Sequence, residues 1–457
     1  MKTKFQFLLL LAIASLALLS CGGDEGLPPE PLFEGDLVLF SQEAVNEAGQ
    51  KGHVDITGTL IITDSAGLTP ITDLSVLSTI KTISGDLVVR ATDRLTSLDG
   101  LNNLQEIKGD ITIENNRSLF QINALANVTD FSDPVITVSE NFILRNLEGL
   151  NQVEEAESVI ISRNRRFVSL DGLQNLKRVN RWLTLSSNES LTNLDALSGL
   201  EYVGDFGLFG GTLYDFSGLS GLHRVDTLRV RGQDQINDLS DFAGIAHMGH
   251  LDIASNRNLE SLQGLTNLQT NPQTIGISGN NALTNLRGLE FISSGEGIRI
   301  GGNENLTSLT GLDNLEELRE LVIASNPRLN DLTALIKLEK VNYLLISGND
   351  LLRDLQGLSG LKTAEFIKIS QNPNLTNLNG LSNLESLRDL ELSGNPSMVN
   401  LDGVPNLEEL DAFWAENNNS LVDFCGLAHV SFPFIYETKD NAFNPTKEDL
   451  ANGRCRQ

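Results

Sequence analysis

The sequence predicts a β-rich solenoid: a right-handed parallel β-helix of about sixteen coils, each of about 23 residues, with short capping elements. Three observations predict it. Asparagine recurs at a strict interval of 23 residues, at Asn280, Asn303, Asn326, Asn349, Asn372, Asn395 and Asn418. A Leu-x-Gly-Leu element recurs with it, and its second leucine falls at Leu289, Leu312, Leu358 and Leu381. After each such element comes a short run of alternating apolar and polar residues, the period of a half-buried strand.

In chain order, the first element is a secretory leader. "MKTKFQFLLLLAIASLALLSCGG" sets Lys2 and Lys4 ahead of an apolar run from Phe7 to Leu19, too short to span a bilayer comfortably. Leu18-Leu19-Ser20-Cys21 resembles a bacterial lipobox, which implies cleavage after residue 20 and a lipid on Cys21. Gly22 after that cysteine resembles the sorting of lipoproteins to the outer membrane, and Asp24-Glu25 resembles the surface-export signal of Bacteroidota lipoproteins. Residues 21–35, rich in Gly, Pro and acid, read as a flexible tether. Residues 36–57 read as an N-terminal cap, with a helix started by Ser41 in "SQEAVNEAGQKG" shielding the open edge of the first coil.

Residues 58–427 carry the repeat. In its first half the anchor leucines drift between 20 and 27 residues apart, and from Leu289 they settle at 23. The strands read "DITIE" (110–114), "WLTLS" (182–186), "HLDIA" (250–254), "ELVIA" (320–324) and "DLELS" (389–393), with Leu251 and Ile253 inward and Asp252 outward. Each turn leaves backbone N–H and C=O groups in a corner closed to water. An asparagine offers both a donor and an acceptor to satisfy them. Asn116, Asn141, Asn164, Asn188 and Asn256 extend the ladder backwards from Asn280.

"NLTSLTGLDNLEEL" together with "GDITIENN" resembles the leucine-rich repeats, and more closely the receptor L domain. The resemblance covers roughly residues 54–430 and implies a ligand-binding solenoid of L-domain type. The cysteine-rich modules that flank the receptor versions are lacking in this chain.

Residues 428–457 read as a C-terminal cap, with a second short helix in "NPTKEDLANGRC". Of three cysteines, Cys21 is assigned to lipid. Export then pairs Cys425 with Cys455, the alternative being two free thiols. With 33 Lys and Arg against 60 Asp and Glu, the net charge of −27 argues against nucleic acid or bare anionic membrane as partners.

The outward strand positions were read for chemistry. Thr112, Thr137, Ile160, Thr184, Gly207, Arg229, Asp252, Gly276, Arg299 and their successors hold no carboxylate pair on neighbouring coils, nor a nucleophile beside a base. His247 and His250 have no evident third ligand, so no metal and no cofactor are expected. Two irregularities stand out. Between Gly204 and Met248 the period slips, and the ladder lapses at Gly210 or Gly211 and at Gln233; the stretch carries Phe206, Phe209, Tyr214 and Phe216. Arg163, Arg165, Arg166, Lys177, Arg178 and Arg181 make a basic region beside Trp182. The candidate ligand site is therefore an aromatic and cationic patch of Phe209, Tyr214, Arg229, Arg231, Arg163, Arg181 and Trp182. The same residues also fit a degenerate coil with Phe206 and Trp182 in the core and solvated arginines outside.

The expected protein is a monomeric, non-enzymatic outer-membrane lipoprotein exposed at the cell surface, with a periplasm-facing orientation as the alternative. It would be anchored through Cys21 and would bind a protein or glycan. A lyase-like polysaccharide-active β-helix and a purely structural envelope protein are the alternatives.

Overall fold

The computed structural model describes residues 32–265 and 267–457. The leader, Cys21 and the first part of the tether lie outside the described residues. The chain is a parallel β-solenoid whose main sheet has 18 strands, running from Leu37–Leu39 through Leu60–Thr63 and Leu87–Arg90 to Ile435–Lys439. Every strand pairs in parallel with those of the preceding and following coils, so sequence order is spatial order. A second, narrower sheet of five two-residue strands runs beside it, from Leu32–Phe33 to Asp130–Phe131. At Glu155–Ser162 and in most later coils the two merge into single long strands, with a register shift between Ala156 and Ser158, whereas Thr274–Ser278, Ala412–Glu416 and Ile435–Lys439 stay short.

The coil count and boundaries differ from the sequence expectation of about sixteen coils. Leu32–Phe33 pairs with Asp55–Ile56, and Leu37–Leu39 with Leu60–Ile62, so solenoid winding already includes residues assigned to the tether and cap. Ile435–Lys439, assigned to the C-terminal cap, is a further coil on Ala412–Glu416. The first coil carries neither the ladder asparagine nor the Leu-x-Gly-Leu element that would mark it in the sequence. The helix Gln42–Lys51 lies within the first turn; Ser41 caps it by accepting the Ala44 N–H at 3.2 Å, and Val45 and Ala48 face the core. At the far end Thr446 and Asp449 form a capping box on Lys447–Ala451, and Cys425 and Cys455 are bridged with Cα atoms 4.8 Å apart.

The interior is one apolar column of stacked leucines and isoleucines, exemplified by Leu251, Ile253, Leu259, Leu262 and Leu265 in a single turn. Each fully buried Leu or Ile contributes about 2 kcal/mol relative to exposure. Two backbone devices turn the corners. The residue before each ladder asparagine takes a left-handed conformation, as at Ser325 (φ 57°) and Gln371 (φ 55°). At Gly311 (φ 115°) a Cβ would lie 2.0 Å from the Leu286 carbonyl oxygen, so only glycine lets adjacent coils close.

The asparagines form a buried chain in two runs, Asn116 to Asn188 and Asn256 to Asn441, with Gly211 and Gln233 standing between them. Asn303 donates its backbone N–H and its Nδ2 to Asn326 Oδ1 at 3.1 and 3.2 Å, and Nδ2 also reaches the Ile277 carbonyl at 3.0 Å. The pattern repeats at Asn116, Asn141, Asn164, Asn256, Asn280, Asn326, Asn349, Asn372, Asn395 and Asn418, and the Asn188 side chain donates only to the Ile161 carbonyl, at 2.9 Å; all are at most 3% exposed. It begins at Thr92, whose hydroxyl and backbone N–H both donate to Asn116 Oδ1. It also runs one coil beyond the sequence reading, to Asn441, where Asn444 Oδ1 accepts the last two donors.

Candidate ligand-binding groove

Strand register aligns the outward side chains of successive coils into rows. One row runs Thr227, His250, Thr274, Gly297, Glu320, Tyr343, Phe366. A second, two residues further along each strand, runs Arg229, Asp252, Gly276, Arg299, Val322, Leu345, Lys368. At Gly276 and Gly297 both rows lose their side chains on neighbouring strands. A recess of about 820 Å³ opens there.

The backbone does not demand these two glycines. Neither has a left-handed φ, and added Cβ atoms would sit at ordinary contact, 3.6 Å from Asp252 Oδ1 at position 276 and 3.7 Å from Glu320 Cβ at position 297. Glycine inside a strand weakens it and marks places where another group approaches closely. The floor is bare backbone.

The walls are arginine–carboxylate pairs bridging adjacent coils. Arg229 is paired with Asp205 and Arg231 with Asp252. Arg299 forms a two-point contact with Glu320 at 2.6 and 3.0 Å, and Arg319 pairs with Glu296 at 3.3 Å. The hydrogen bond from Arg299 to Glu320, followed by the carboxylate's charge, holds the guanidinium above its ordinary range. Each guanidinium thus keeps a fixed orientation and still has N–H donors to offer. His250 Nδ1 is hydrogen-bonded to Thr274 Oγ1 at 2.8 Å, which fixes the ring on the same wall.

Beyond Glu320 the groove continues onto an aromatic platform. The rings of Tyr343 and Phe366 stack with centroids 5.4 Å apart and planes 4° from parallel. Arg319, Glu320, Asn342, Glu365 and Arg388 line a recess of about 720 Å³ beside them. Arg319 and Glu320 belong to both recesses. The surface from Thr227 to Phe366 spans six strand spacings of about 4.8 Å, or about 29 Å.

The aromatic and cationic patch expected from sequence is not one patch. Arg229 and Arg231 line the groove. Phe209 pairs in register with Arg231, but its ring folds over Gly207, where an added Cβ would lie 2.3 Å from Phe209 Cε2. Trp182 is exposed rather than in the core, because Leu183 and Leu185 are the inward residues of its strand and Trp182 alternates with them, in register with Asp205. Arg181 covers the Trp182 ring at 3.9 Å and pairs with Glu157 at 3.5 Å. Arg163 sits at the corner before the ladder, paired with Glu140 at 2.9 Å. Tyr214, 63% exposed, lies past the next corner. Arg178 is stacked on Tyr202, whose hydroxyl donates to Asp226 at 2.7 Å. Among the described residues there is no group of three or more side chains suited to holding a metal.

Sequence reasoning took the middle outward residue of each strand and passed over the one two positions earlier. That row contains Gly297, Tyr343 and Phe366. The signal was present as "GIRIG", "YLLIS" and "FIKIS" at a common offset.

The family model of the receptor L domain matches residues 54–172. Among solved structures, an internalin from Listeria monocytogenes is similar over 84% of this chain and 92% of its own, at 18% identity and a TM-score of 0.41. The plant peptide hormone receptor RGFR1, solved in complex with RGF2, is similar over 89% of this chain and 69% of its own, at 13% identity and a TM-score of 0.39. A leucine-rich-repeat protein of Leptospira interrogans is similar over 78% of this chain and 88% of its own, at 15% identity and a TM-score of 0.31. No curated protein matches the chain. Parallel strand pairing runs on to Ile435–Lys439, and the ladder resumes at Asn256 and reaches Asn441.

Proposed function

We propose that the chain is a non-enzymatic binding protein that holds an extended glycan on its strand face, anchored at the outer membrane through a lipid on Cys21. The bare floor at Gly276 and Gly297, flanked by fixed arginine–carboxylate pairs and ending on the Tyr343–Phe366 stack, carries this reading. Planar donors and acceptors match sugar hydroxyls, and an aromatic platform matches the C–H face of a sugar ring. A channel about 29 Å long suits a chain of several residues. Asp252 and Glu320 are each engaged by an arginine, an arrangement suited to recognition rather than proton transfer.

The test is binding of the unlipidated chain to glycan and protein arrays, with Tyr343→Ala/Phe366→Ala and Gly276→Val as comparators. Glycan ligands should be retained by the unaltered chain and lost by both variants at unchanged melting temperature. Protein ligands alone, or glycan binding indifferent to both variants, would overturn the glycan assignment. No ligand in either format would favour a structural role.

A further inference from the structure

The turn after each ladder asparagine faces away from the core, and most coils fill it with polar residues or proline. Arg257-Asn258, Glu304-Asn305, Pro373-Asn374 and Pro396-Ser397 are examples. After Asn141 the chain instead places Phe142-Ile143, and Phe142 is 47% exposed. A large apolar pair gains nothing at a solvated turn. The next coil sets Arg165-Arg166 in the equivalent position, and the two dipeptides line one recess of about 630 Å³ together with Glu189 and Ser190.

The surroundings extend the same character. Phe120 and Val168, each 44% exposed, flank Arg145, whose guanidinium lies 5.5 Å from the Phe120 ring centroid. Among the described residues Arg145, Arg165 and Arg166 have no carboxylate within 4.0 Å, whereas Arg163 and Lys177 nearby are paired with Glu140 and Glu154. Glu189 is the one carboxylate lining the recess. Three unneutralised guanidiniums therefore cluster on a chain whose net charge is −27.

We infer that Phe142, Ile143, Arg165 and Arg166 form a docking surface for an acidic segment of a partner protein. An apolar side chain of that segment seats in the recess, and its flanking carboxylates lie on the guanidiniums. Charge complementarity selects the occupant. An acidic partner is repelled by most of this chain and attracted here, which fixes where it lands. The exposed aromatic and aliphatic groups select a protein. A polyanionic glycan would satisfy the arginines and leave Phe142 and Ile143 uncovered, whereas aromatic and arginine side chains together are the anchors of protein interfaces. This surface is separate from the groove, and neither reading depends on the other.

The experiment is selection of a random peptide display library on the full chain, followed by affinity measurement with the synthetic consensus peptides. The recovered peptides should carry Asp or Glu flanking Leu, Phe, Tyr or Trp. Their affinity should fall at least about tenfold in Arg165→Glu/Arg166→Glu and in Phe142→Ser, and decline as salt rises from ~50 to ~300 mM. Arg165→Lys/Arg166→Lys should retain much of it, and Tyr343→Ala all of it. Matching thermal melts exclude misfolding as the cause. Peptides without acidic enrichment, or binding indifferent to both variants, overturn the inference. So does a polyuronate oligosaccharide whose binding needs the arginines but not Phe142.

Discussion

Gly211 and Gln233 face each other in register on neighbouring strands, and between them the chain of buried amides is broken. Gly211 has no side chain to offer. Gln233 is fully buried, and both its Oε1 and its Nε2 lack a hydrogen-bond partner, although its backbone N–H still donates to Asn256 Oδ1 at 2.8 Å. One extra methylene carries the amide past the carbonyls that asparagine reaches elsewhere. Gln233→Asn should therefore bring the amide back to the Leu208 carbonyl and stabilise the protein by about 1 kcal/mol. Chemical denaturation would measure it, and an unchanged or lowered midpoint would refute the geometry.

The reverse change belongs in an intact stretch. Asn326 accepts from Asn303 twice and donates to the Ile300 carbonyl at 3.1 Å. Asn326→Ala should cost about 1–3 kcal/mol by stranding those groups. Asn326→Gln should not rescue it, for the reason Gln233 displays. Amide exchange should show protection lost first at Asn303, whose backbone N–H donates to Asn326 Oδ1.

Glycines of different kinds should respond differently. Gly311→Ala meets a carbonyl at 2.0 Å in a left-handed conformation and should destabilise by more than ~1 kcal/mol. Gly297→Ala meets ordinary contact and should stay within about 0.5 kcal/mol of the unaltered chain. Thermal melts of the pair separate glycine needed for closure from glycine that leaves space.

Acid should act on the C-terminal cap. The Thr446 hydroxyl and backbone N–H, followed by Arg454, hold the Asp449 carboxyl down to about 2 from 3.8. A depressed folded value means that the stabilisation is present above the unfolded value and is lost as pH falls from about 4 through about 2. Exchange protection in residues 444–457 should decline over that window. Asp449→Asn should flatten the response, and a steep response that survived the substitution would assign it to another group.

The proposed anchoring rests on the Cys21 side chain. Cys21→Ser should abolish labelling by radioactive fatty acid and move the protein from the membrane to the soluble fraction. Labelling that persisted in the variant would remove the lipid proposal.

Much of this fold was legible because a solenoid repeats its own instructions. The interval of the asparagines, the alternation in "ELVIA" and the pairing of Cys425 with Cys455 each follow from local chemistry. Ser41 as a helix cap follows in the same way. The first coil was not legible, since neither a ladder asparagine nor a Leu-x-Gly-Leu element marks it. The groove was illegible for a different reason. Gly276 and Gly297 lie in different outward rows, and they make one floor only once the register of Thr274–Ser278 on Ser294–Gly301 is known. Ion pairing was likewise hidden: Arg181 and Arg163 looked available in sequence, yet their partners Glu157 and Glu140 come from the preceding coil.

The closing contact at Asn444 has a consequence for how such a molecule acquires its size. Every amide link points the same way, from one turn's donors to the next turn's oxygen, so each asparagine-bearing turn presents the same two faces. Nothing in that geometry curves back to complete a ring. Asn444 supplies an oxygen from within the same turn and then donates to the Asn441 carbonyl, which ends the series without requiring a successor. Length is thus a property of where the stop is written, and a reach suited to a longer or shorter ligand is available by adding or deleting whole turns ahead of it.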